Sequence, residues 1–124
     1  MRWGLRIATA AALAALVLLD GCPGPIYDPA KLKAVEAESV RLMAAYPIDP
    51  AKGWAEVPKG AWPPAIASLR PEIVILDRKQ VLITIKPYFD GGWGYEVVGD
   101  KSDIRSLPAC YRELIERVYW HGPC

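Results

Sequence analysis

Residues 73–76 and 81–86 are two runs of aliphatic and β-branched side chains on either side of a polar link, residues 77–80. Branched residues suit a pleated surface and a charged link faces water, so the pattern predicts a β-hairpin at the centre of the fold. In its second strand Val81, Ile83 and Ile85 fall on one face and Leu82, Thr84 and Lys86 on the other. The first run is apolar on both faces, which places it inside the sheet, between a helix on one side and the aromatics that follow on the other.

Upstream, Asp28 and Pro29 read as an N-cap and a first helical residue. Leu32, Val35, Ser39, Leu42, Met43 and Tyr46 then form one stripe at helical spacing, with Lys33, Glu38 and Arg41 opposite. A helix ending before Pro47 is about 25 Å long, enough to cross a small sheet. Residues 48–71 carry five prolines with Gly53 and Gly60, so irregular chain with one or two helical turns over residues 64–69 is expected, pinned by Trp54 and Trp62. Residues 90–92 signal a turn, residues 95–98 a third strand, residues 99–106 a polar loop, residues 108–115 a short helix and residues 117–120 a last strand. The expected fold is α+β: one domain over residues 29–124, with a long N-terminal helix packed on a small antiparallel sheet of three to four strands.

The chain has 124 residues, room for one domain, and its first twenty or so stand apart. Arg2 and Arg6 precede thirteen uncharged residues, 7–19, too few for the roughly 20 that span a bilayer but suited to a secretory signal. Leu19, Asp20, Gly21 and Cys22 follow, and this stretch resembles the lipobox of bacterial lipoprotein signal peptides. The resemblance covers residues 1–22 alone. It implies a signal peptide over residues 1–21, a Cys22 that becomes the acylated N-terminus with palmitate-type chains, and a lipidated tether over residues 22–28. Asp20 stands where the pattern usually has a small or apolar residue. Pro23 in place of an aspartate implies an outer-membrane anchor facing the periplasm. An ordinary cleaved signal and an uncleaved anchor are the plainer alternatives.

Charge and cysteine count bear on partners. Of fifteen basic and fourteen acidic residues, Arg2, Arg6 and Asp20 lie in the leader, leaving thirteen of each beyond Cys22. A neutral domain has no broad positive field, so nucleic acid and anionic lipid headgroups are poor candidates as partners, and no nucleic acid is expected. Three cysteines leave one over in an oxidising compartment. With Cys22 acylated, Cys110 and Cys124 are expected to pair, closing a loop worth about 3 kcal/mol in the chain-entropy model.

Candidate chemistry is thin. His121 is the one histidine, and no serine lies in a Gly-x-Ser-x-Gly context. One histidine beside two paired cysteines is too few for zinc, and residues 100–103 lack the ligands of a calcium loop. No metal or cofactor is therefore expected. Asp77, Asp90, Glu96, Asp100 and Asp103 are candidates for a carboxylate pair, each in a turn or polar flank. The remaining feature is an aromatic band, Tyr88, Phe89, Trp93 and Tyr95, with Tyr111, Tyr119 and Trp120 opposite. Such a band packs a core or forms a recognition patch, for which Tyr88, Trp93, Tyr95 and Trp120 are the candidates. The function expected is a non-enzymatic, envelope-anchored binding, inhibitor or immunity-like module acting on a protein or envelope component. The alternatives are a small envelope hydrolase using carboxylates near the hairpin or His121, and a structural lipoprotein with no ligand.

Overall fold

The computed structural model describes residues 23–89, 91–104 and 110–123; in it one helix lies across a six-stranded antiparallel sheet. Helix α1 spans Pro29–Ala45. It begins where the Asp28 carboxylate accepts from the Ala30 amide at 3.0 Å, with Pro29 in a first turn whose amides have no helical partner anyway. It stops at Tyr46, held extended before Pro47. Leu32, Val35, Ser39 and Met43 recur three and four residues apart on its buried face.

The strands are β1 (Ala55–Glu56), β2 (Ile73–Leu76), β3 (Gln80–Lys86), β4 (Trp93–Val98), β5 (Tyr111–Ile115) and β6 (Val118–His121), in the spatial order β1-β2-β3-β4-β6-β5. Register fixes which side chains meet α1. Val74, Ile83, Tyr95 and Trp120 line up across four strands, as do Leu76, Val81, Val97 and Val118. All eight belong to the core that α1 closes. A short helix, α2 (Pro64–Ser68), adds Ile66 to that core, and Trp62 is fastened beside it by donating its indole N–H to the Val57 carbonyl at 2.8 Å.

Six strands correct the expectation of three to four. One extra strand, β1, lies inside the proline-rich stretch, where Ala55 and Glu56 pair with Leu76 and Ile75 before Pro58 ends the ladder. The other, β5, occupies residues expected to be helical. Glu116 and Arg117 form a tight connection, with Arg117 at a φ of 69°, that folds β5 back on β6. Cross-strand pairing outweighs the weak helical pattern there. Pro108, the expected start of that helix, lies outside the described residues. Trp54 also departs from expectation: it is 46% exposed, so of the two tryptophans only Trp62 packs against the core.

Two buried polar groups on α1 differ in how they are satisfied. The Glu38 carboxylate, 7% exposed, accepts from the amides of Ala65 and Ile66, both at 2.8 Å, and so caps α2 from a neighbouring element. The Ser39 hydroxyl, fully buried one residue later, has no hydrogen-bond partner. Glu38→Ala leaves two amides unpaired and should cost about 1–3 kcal/mol, whereas Ser39→Ala removes an unpaired polar group and should stabilise by up to about 1 kcal/mol. Urea unfolding midpoints of the two variants, moving in opposite directions from wild type, check the pair.

Candidate recognition surface

The β3–β4 connection is built so that its aromatics project. A bulge at Ile85 shifts the register between Thr84 and Lys86, and Lys86 then pairs with Trp93. Gly92 has a φ of 78°, and a Cβ there would fall 2.1 Å from the Lys86 carbonyl oxygen, so only glycine closes this turn. Beyond it Phe89 is 99% and Tyr88 57% exposed. The Tyr88 ring stands edge-on to Phe89 at 5.9 Å and to Trp93 at 5.6 Å, and the Lys86 ammonium lies 5.4 Å from the Trp93 ring centre.

The four residues expected to form one patch divide. Tyr88 is on the surface and Trp93 is half-buried against the core, whereas Tyr95 and Trp120 are 2% and 8% exposed. Tyr95 and Trp120 are register partners on the helix-facing side, their rings edge-on at 5.0 Å. The Tyr95 hydroxyl accepts from the Ile26 amide at 2.8 Å, and burial raises its pKa. These two rings seat the chain that enters α1, and they belong to the interior rather than to a recognition patch.

The sheet face turned away from α1 carries a different set. One row runs Ile75, Leu82, Glu96, Tyr119 and Glu113; the next runs Ile73, Thr84, Gly94, His121 and Tyr111. Ile73, Ile75 and Leu82 are half-buried and lie outside the core that α1 closes. Glu96 is 5% exposed, and its Oε2 has no partner. His121 Nδ1 lies 3.1 Å from the Gly92 carbonyl; a carbonyl only accepts, so that nitrogen carries the proton. Burial depresses the His121 pKa, opposed by the Glu96 charge and the Gly92 carbonyl.

Of the candidate carboxylates among the described residues, only Glu96 shares a face with His121. Asp77 is used by its own turn, accepting from the Lys79 amide at 2.7 Å and the Gln80 amide at 2.9 Å. Asp100 accepts from the Ser102 amide and hydroxyl, and the amide chiefly holds its pKa below the usual carboxylate value. Asp103 ends the short 3₁₀ turn Lys101–Asp103. Asp90, Cys22 and Cys124 lie outside the described residues. Cys110 immediately precedes β5, whose first residue, Tyr111, pairs with His121, three positions before Cys124 in sequence. Among the described residues no group of three or more metal-ligating side chains converges, and no helix is long and apolar enough to cross a membrane. Comparison with protein-family models, curated proteins and solved structures finds no match.

The folded state binds a proton at His121 less readily than the unfolded chain does, so His121 favours folding above its ordinary pKa of 6.5 and opposes it progressively below. The thermal midpoint should therefore fall on going from about pH 7.5 to about pH 5.5. His121→Gln should fall less over the same interval; identical profiles for the two proteins would contradict the assignment.

Proposed function

We propose that this chain is a lipid-anchored protein of the cell envelope, on the outer membrane facing the periplasm, that acts as a non-enzymatic binding module of the inhibitor or immunity type. The observation that carries it is the apolar strip of Ile73, Ile75 and Leu82 on the sheet face turned away from α1. Partly exposed aliphatic side chains gathered on one sheet face are a surface that association can cover. The lipobox residues at 19–22 supply the anchor, and the neutral charge beyond Cys22 favours a protein or envelope component over a polyanion. Acylation of Cys22 leaves Cys110 and Cys124 to pair with each other, and the β5–β6 register supports this by bringing Cys110 to the end of the hairpin that leads on to Cys124.

One observation favours a second reading. Glu96 and His121 share a face, two positions apart along adjacent strands, as a hydrolase drawing on a carboxylate and an imidazole would require. Partner binding and hydrolysis differ in their dependence on His121: binding through the aliphatic strip survives His121→Gln, and hydrolysis does not.

Intact mass spectrometry of the mature protein should show an N-terminal Cys22 carrying diacylglycerol and an amide-linked acyl chain, and a polypeptide lighter by two hydrogens until reduced. A chain with three free thiols contradicts both. A photo-crosslinking residue in place of Leu82 should give a discrete protein or envelope adduct in living cells, and one in place of Lys31 on the exposed side of α1 should give none. The same absence at both positions would leave a structural lipoprotein with no ligand as the better description.

A further inference from the structure

We infer that the β3–β4 tip, through Tyr88 and Phe89, rests in the headgroup layer of the membrane that holds Cys22. The inference depends on the lipid-anchor reading above and adds a second point of contact to it. The tether is short and fastened to the domain. Its Ile26 amide is held on the Tyr95 hydroxyl at 2.8 Å, and the Tyr27 ring lies 5.6 Å from the Arg112 guanidinium carbon. Ile26 is four positions from Cys22, a reach of at most about 14 Å when fully extended. The headgroup layer is itself about 5–8 Å deep on each side of the hydrocarbon. A domain tied down this closely has one end within about 10 Å of the headgroup layer, close enough for a projecting loop to enter it.

The point where the tether meets the sheet says which end. Tyr95, which holds Ile26, lies two residues from Trp93, where β4 leaves the β3–β4 loop, and the β2–β3 and β5–β6 turns lie at the other end of the strands. On the tether's side the β3–β4 loop extends beyond the paired residues Lys86 and Trp93. Phe89 is 99% exposed, and around it stand Tyr88, Trp93 and Lys86, the mixture of amphipathic rings and a long cationic side chain that favours a membrane–water interface. Asp90 follows in sequence, which suits headgroup depth rather than the hydrocarbon. With equal numbers of acidic and basic residues beyond Cys22, the domain has no polybasic field to make this contact instead.

The molecule contains its own control. Trp54 is also exposed, at 46%, but it precedes Ala55, which pairs with Leu76 next to the β2–β3 turn at the opposite end of the sheet. The acylated protein, reconstituted into vesicles of phosphatidylethanolamine and phosphatidylglycerol, would carry a diazirine amino acid in place of Phe89 or, separately, Trp54. Illumination should give lipid adducts several-fold more abundant at position 89 than at position 54. Vesicle-bound protein with equal lipid adducts at both positions, or with protein adducts replacing lipid ones at position 89, overturns the inference while leaving the anchor intact. Protein that washes off the vesicles overturns the anchor and the inference together.

Discussion

A single helix has to cover one face of six strands, and the rest of the structure follows from how that is done. Six strands about 4.8 Å apart are about 24 Å wide, and seventeen residues of helix are about 25 Å long. Helix α1 therefore matches the sheet only when laid across it, and its stripe of Leu32, Val35 and Met43 meets residues from β2, β3, β4 and β6 in one core. What the helix cannot reach is closed by the proline-rich segment, which contributes Val57, Ile66 and Trp62. The Glu38 carboxylate joins these two covers, because the backbone of α2 would otherwise present unpaired amides to the interior.

The sheet ends differently at its two edges, and both ends discourage further pairing. Strand β1 is two residues long and stops at Pro58, so it offers almost no ladder. Strand β5 is longer, but it carries Arg112 and Glu113 and a register shift between Glu113 and Ile115. Lys101 adds an ion pair to Glu113 at 3.3 Å, between exposed groups, a contact of small energetic weight that still places charge along the edge.

Much of the frame was legible before any coordinates. Asp28, Pro29 and Pro47 bracket a helix by elementary backbone chemistry, and the aliphatic runs around residues 77–80 are a hairpin by period and turn signal. The strands at the two edges were not. Ala55 and Glu56 have no strand pattern of their own and are held by β2; residues 111–115 read as weakly helical until β6 is present to pair with them. The aromatic band misled for a related reason. Trp93, Tyr95 and Val97 share a face by alternation, but a sequence cannot say which face the helix takes, and it took the one bearing Tyr95 and Trp120. Glu96, classed by sequence with solvated flank carboxylates, is buried although it lies on the face turned away from α1.

The start of the described chain is held by groups that are synthesised last. Ile26 waits 69 residues for the hydroxyl of Tyr95, and Glu36 waits 81 for the guanidinium of Arg117. A chain emerging from its N-terminus can shape α1 locally and lay it on β2, β3 and β4, but the seat of the helix is complete only when the β5–β6 hairpin exists. Closing loops of that length makes for slow assembly, and a version cut before residue 111 would lose the two strands that pair beyond β4 and, with them, Val118 and Trp120 from the seat of the helix.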